Sequence, residues 1–164
     1  MLVLGIDPGS RVAGWGLVDD GNGRLTEVDS GCIKTPATTE LAPRLKYLFN
    51  EFSKIIEKYR PDETAVENVF FAKNAKSALM LGQARAAAIL PGLLAGLPLH
   101  EYGALQVKKA LVGNGMADKN QVADMVCRLL GMKEKPSPLD VTDALAVAIC
   151  HVHSSSVMKR IPAL

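Results

Sequence analysis

The chain has 164 residues, 48% of them apolar, which suits one domain with a core of ordinary size and excludes a disordered chain. Its formal net charge of +2 does not mark a nucleic-acid binder by itself, so any such case rests on where the charges sit. Cys32, Cys127 and Cys150 are odd in number and far apart, without the spacing of a zinc site or a disulfide framework, and read as buried thiols in a reducing cytosol.

The N-terminal apolar run is broken by Asp7 too early for a signal peptide. The apolar stretch Ala86 to Leu99 is interrupted by Pro91 and Gly92 and is shorter than the about 20 residues a bilayer span needs. A cytoplasmic protein with no membrane partner is expected.

Leu2 to Ile6 is an unbroken apolar run, the pattern of a strand covered on both faces, and Asp7 closes it. Two strand-like runs flank Asp20-Gly21-Asn22-Gly23, whose residues suit the positive φ of a hairpin loop, so an antiparallel three-strand meander is predicted. Apolar residues at helical spacing from Glu40 to Tyr59 predict a long amphipathic helix ended by Pro61. A fourth strand is expected over Glu63 to Val69, a helix over Ala75 to Leu90 and a short fifth strand over Pro98 to Tyr102. Helices follow at Leu105 to Val112, Lys119 to Leu130 and Leu139 to His153. A meander followed by alternating β and α elements, with no internal repeat, predicts an α/β domain over residues 1–156, with 157–164 as a flexible tail.

Acidic residues sit oddly at three places in this pattern, the third holding two of them. Asp7 begins Asp-Pro-Gly, a turn sequence in its own right, yet it also places a carboxylate at the end of a buried strand. Glu67 interrupts an apolar strand, sharing a face with Ala65; a strand end meeting solvent would excuse it. In SPLDVTDALAVAI, Ser137 and Pro138 start a helix and Asp140 falls in its first turn, where the dipole favours a negative charge. Asp143 lies beyond that turn, on the same face as Asp140, in a helix apolar nearly all round. Together these acids suggest a cluster, since functional crevices of such sheets lie outside the carboxyl ends of parallel strands. Clustered carboxylates repel unless a divalent cation neutralises them, and oxygen ligands suit Mg²⁺ or Mn²⁺. A pair of such ions clamps the attacking and leaving oxygens of a phosphodiester.

The segments GIDPGS, AGWG, AVENVFFAKNAKSALMLGQAR, HEYGALQVKKALVGNG, DKNQVADMV and DVTDALAVAICHVH resemble the RuvC family of bacterial Holliday-junction resolvases nearly from end to end. The resemblance implies an RNase H-like fold with a five-stranded mixed sheet flanked by helices. It implies a homodimer that cuts four-way DNA junctions in recombination and repair, with two Mg²⁺ per site, Mn²⁺ as a substitute, and RuvA and RuvB as branch-migration partners. Asp7, Glu67, Asp140 and Asp143 match the family's catalytic, metal-binding acids. Ala86, Leu105 and Pro91 depart from the family pattern, in the helix expected at the dimer contact and at one DNA contact.

Phe70 and Phe71 precede Lys73 and Lys76; the rings either pack beneath the next helix or stack on an unpaired base at the crossover, where the family match favours Phe70. Lys108, Lys109 and Lys119 are either solvated charges or DNA contacts, with Lys108 and Lys119 the family's choice as phosphate ligands near the metals. Arg85 reads as structural or at the dimer edge. His151 and His153 read as residues favoured by the dipole of a helix C-terminus. Ala75, Ala78, Gly82, Ala86 and Ala87 form a small-residue surface expected to meet its copy across a two-fold axis. Rival readings are an actin-type ATPase or sugar kinase, a non-catalytic junction-binding protein, and an RNase H-like nuclease acting on RNA or ordinary duplex.

Overall fold

The computed structural model describes residues 1–37, 40–68 and 74–158. Strands β1 (Leu2–Asp7), β2 (Val12–Asp19) and β3 (Thr26–Lys34) form the expected antiparallel meander. β4 (Glu63–Asn68) pairs in parallel with β1, and β5 (Leu99–Gly103) in parallel with β4, giving the sheet order β3-β2-β1-β4-β5. The predicted mixed α/β sheet is therefore present, and β1 is central to it.

Each strand of this centre alternates its side chains between two cores. Leu4, Ile6, Leu17 and Val66 face α1 (Leu41–Tyr59) and α2 (Ala75–Leu94), where they meet Leu48, Phe52, Ala84 and Ala88. Val3, Val18 and Ala65 face α5 (Leu139–Met158), which is backed by α3 (Ala104–Val112) and α4 (Lys119–Leu130). Burial of each large aliphatic or aromatic side chain in these layers contributes about 1.5–3 kcal/mol. α5 is the central helix of its layer: Ala144 through Val152 are all buried.

Several expected boundaries move. α2 continues through Pro91 to Leu94 instead of stopping at Leu90, because Pro91 and Gly92 are buried and Gly92 lies against Thr64 of β4 and Ile56 of α1. That packing offsets the lost backbone hydrogen bond. By length and composition α2 would serve as a bilayer span, unlike the interrupted stretch read from the sequence. It packs its alanine side on α1 and the sheet instead. α5 extends past His153 to Met158, so the tail expected from residue 157 is helical as far as the described residues go. Of the three free cysteines only Cys150 is buried; Cys32 and Cys127 are partly exposed, contrary to expectation.

Candidate active site

Asp7 and Glu67 come together because β1 and β4 run in parallel with Ile6 opposite Val66, which makes the two acids the next residues at the same end of neighbouring strands. Such strands are about 4.8 Å apart. Both acids share the sheet face of Gly5 and Ala65, the face that receives α5.

The start of α5 is brought onto them by glycines. A Cβ on Gly14 would lie 1.9 Å from the Asp140 carbonyl oxygen, one on Gly5 2.1 Å from that of Ala144, and one on Gly16 2.5 Å from Leu145 Cδ2. Gly14 is paired with Asp7 and Gly16 with Gly5, so the bare patch spans two strands directly below the helix backbone. Only glycine permits that approach. The sequence carried this signal as the i, i+2 glycines of AGWG beside GID, to which sequence reasoning assigned no role.

The charge distribution records the convergence. The Asp7 carboxyl is pushed up to about 8, first by burial and then by the charges of Asp143, Glu67 and Asp140, with Lys119 opposing. Glu67 is also raised, by burial and by Asp143, against the pull of Lys119 and Lys108. Lys119 Nζ donates to Asp143 Oδ2 at 2.8 Å, and this bond is the main cause of its raised pKa. Glu67, Lys108, Lys119 and Asp143 line one cleft walled by Val107 and Val122. A set of carboxylates that holds a proton on Asp7 up to about 8 is short of positive charge. Its all-oxygen donors fit hard divalent cations of the Mg²⁺ or Mn²⁺ kind.

The four acids named from the sequence are thus brought together, and of the lysines Lys108 and Lys119 join them. Lys109 is exposed on α3 and Lys76 is exposed on the first turn of α2, and neither lines the cleft. Phe70, Phe71 and Lys73 lie outside the described residues. Arg85 pairs with Glu101 of β5, its Nη2 3.0 Å from Oε2. His151 departs from its expected role at a helix terminus. It is buried inside α5, with Nε2 2.7 Å from Glu63 Oε2 and Nδ1 2.7 Å from the Tyr102 hydroxyl, because the helix continues beyond it.

The sequence profile of crossover junction endodeoxyribonuclease RuvC matches residues 3–151. The chain belongs to the RuvC family. The RuvC of Methylococcus capsulatus is 55% identical over 158 residues, covering 96% of this chain and 94% of the relative. That of Geobacter sulfurreducens is 53% identical, covering 98% and 97%. The Thermus thermophilus RuvC structure matches with a TM-score of 0.87 at 34% identity, covering 96% of this chain and 97% of that one. T. thermophilus RuvC in complex with Holliday junction substrate matches with a TM-score of 0.86 at 32% identity, covering 96% of each chain. The yeast mitochondrial Holliday junction resolvase Ydc2 shares the fold, with a TM-score of 0.71 at 12% identity. RuvC membership over nearly the whole chain removes the ATPase and sugar-kinase reading.

Proposed function

We propose that Asp7, Glu67, Asp140 and Asp143 are the catalytic acids of this chain and hold two Mg²⁺ ions, which Mn²⁺ can replace. The chain is a structure-selective endonuclease that resolves Holliday junctions in recombination and repair. The observation that carries the assignment is the convergence of carboxylates from β1, β4 and α5, with burial and mutual repulsion pushing Asp7 up to about 8.

In this reading Asp7, Glu67 and Asp143 would hold the cations through their carboxylate oxygens, with Asp140 assisting. When bound there, the cations would supply activation of a water and neutralisation of charge on the scissile phosphodiester, whose hydrolysis would leave a 5′-phosphate and a 3′-hydroxyl. The protein's own part is to hold the strand. Lys108 and Lys119 flank the acids in one cleft and take the phosphates next to the cut, so that the incoming backbone replaces Lys119's bond to Asp143. Val107 and Val122 give that cleft an apolar wall, which keeps bulk water from screening the charges. Phe70 and Phe71, with Lys73 and Lys76, contact the opened crossover.

Paired incision needs two such sites, and a homodimer through α2 supplies them. Ala75, Ala78, Gly82 and Ala86 are exposed beside Leu79, and a Cβ on Gly82 would meet nothing within 4 Å. The monomer therefore places no demand for glycine there, whereas a close partner helix would. Ala87, expected on this surface, is turned into the core instead. RuvA and RuvB complete the assembly on the junction.

The test is a labelled four-way junction beside linear duplex of the same sequence, each with Mg²⁺ and with chelator. Symmetric cuts in the junction alone, and only with Mg²⁺, support the reading. Equal cutting of linear duplex, or cutting in chelator, overturns it.

A further inference from the structure

At the far end of the sheet from the four acids, two imidazoles and a carboxylate point at one another. Glu63 opens β4, His100 lies in β5 and His151 lies in α5, and all three face the same layer. Glu63 Oε2 is 2.7 Å from His151 Nε2 and 2.8 Å from His100 Nε2, and the two rings stack with centroids 4.2 Å apart. The ligand atoms of all three lie within 4.8 Å of one another.

Hydrogen bonding accounts for His151, between Glu63 and Tyr102, but not for His100. His100 Nε2 is buried and makes no hydrogen bond, although it lies 2.8 Å from Glu63 Oε2. A buried ring nitrogen left in that state costs about 1–3 kcal/mol. A cation between the three groups would be met by its lone pair.

The surroundings also resemble those of a metal ligand. His151 is 2% exposed, and its Nδ1 is fixed by the Tyr102 hydroxyl at 2.7 Å, the outer contact that orients a ligating imidazole. Two imidazoles beside one carboxylate are a donor set that Zn²⁺ and similar ions take, in contrast to the all-oxygen set of the catalytic cluster. Donor-to-zinc distances of about 2.0–2.2 Å require the Glu63 oxygen and the two ring nitrogens facing it to separate by about half an ångström. Glu63 and His100 are both partly exposed, which leaves room for that movement and for a water in the fourth position.

We propose that Glu63, His100 and His151 form a second cation site, selective for Zn²⁺ or a similar transition ion over Mg²⁺, that ties β4, β5 and α5 together. It stands four residues along β4 from Glu67, about 13 Å. It stands eight residues along α5 from Asp143, about 12 Å. The ion fastens the two elements that carry those acids without touching the reacting atoms.

The experiment is equilibrium dialysis of the full-length protein against Zn²⁺ in excess Mg²⁺, with metal content by mass spectrometry and the spectrum of the Co²⁺-substituted form. One Zn²⁺ per chain is expected, with affinity falling at least tenfold in both His100→Ala and Glu63→Gln and unchanged in Asp143→Asn. Circular dichroism verifies that each variant is folded, and Glu63→Gln preserves shape at the site should His100→Ala fail to fold. Absence of bound Zn²⁺, retention of Zn²⁺ in the folded Glu63→Gln variant, or its loss in Asp143→Asn overturns the proposal. None of these readouts depends on nuclease activity, so the result stands apart from the function assigned to the catalytic acids.

Discussion

Lys119 Nζ is held 2.8 Å from Asp143 Oδ2, a bond joining the first residue of α4 to a carboxylate near the start of α5. The lysine opposes the upward shift of both Asp7 and Glu67, so it acts as a counter-ion to these two acids as well as to Asp143. A side chain paired to an acid in the absence of DNA is well placed to transfer to a phosphate when the acid binds a metal. Four expectations follow from this geometry.

Lys119→Ala should weaken junction binding and reduce the salt dependence of log K by about 1, the share of a single phosphate contact. Lys108→Ala should do the same. Fluorescence anisotropy across a salt series measures this, and an unchanged slope removes that residue from the contact list.

Asp7→Asn should still bind junctions, since the metal-free carboxyl it replaces is already uncharged below about pH 8, while cleavage falls about a hundredfold or more. Binding and single-turnover cleavage are to be measured on one preparation. Cleavage by the variant at the wild-type rate would exclude Asp7 as a metal ligand.

The Asp7 carboxyl lies at about 8 in the fold against an ordinary value of 3.8. Between those values the folded chain carries a proton that the unfolded chain has lost. Stability of the metal-free protein therefore falls as pH rises through that window and levels off above about 8, with a limiting slope of about 1.4 kcal/mol per pH unit. Mg²⁺ requires the ionised carboxyl, so it should bind more tightly as pH rises and flatten the decline. Urea titrations from pH 5 to pH 9, with and without Mg²⁺, give both curves; a metal-free stability that climbs with pH contradicts the assignment.

Gly14→Ala puts a Cβ 1.9 Å from the Asp140 carbonyl oxygen and should cost about 1–3 kcal/mol while displacing the acids of α5. Gly82→Ala is the contrast. Its Cβ meets nothing in the protomer, so chain stability should hold or rise by about 0.5–1 kcal/mol, the ordinary preference of a helix for alanine. Sedimentation should nevertheless show a weaker dimer. A dimer unaffected by both Gly82→Ala and Leu79→Glu would place the interface elsewhere.

The sequence by itself determined the order and type of the elements and the identity of the acids. Apolar periodicity is a local property, and an ionisable group that interrupts it is visible wherever the pattern is strong, as at Asp7 after Leu2–Ile6 and at Asp143 before Ala144–Ile149. Family motifs supplied the roles expected of them. Tertiary structure alone decided that α5 lies close enough for Asp143 and Asp140 to face Asp7, because this depends on Gly5, Gly14 and Gly16 being bare beneath the helix backbone. It decided that α2 runs through Pro91, since packing against β4 and α1 outweighs a local helix-breaking preference. It also decided that His151 meets Glu63, 88 positions away in the chain, and not the end of its own helix. Contacts between distant segments leave no periodic trace in sequence; they arise where backbones can approach and where a buried polar group must find a partner.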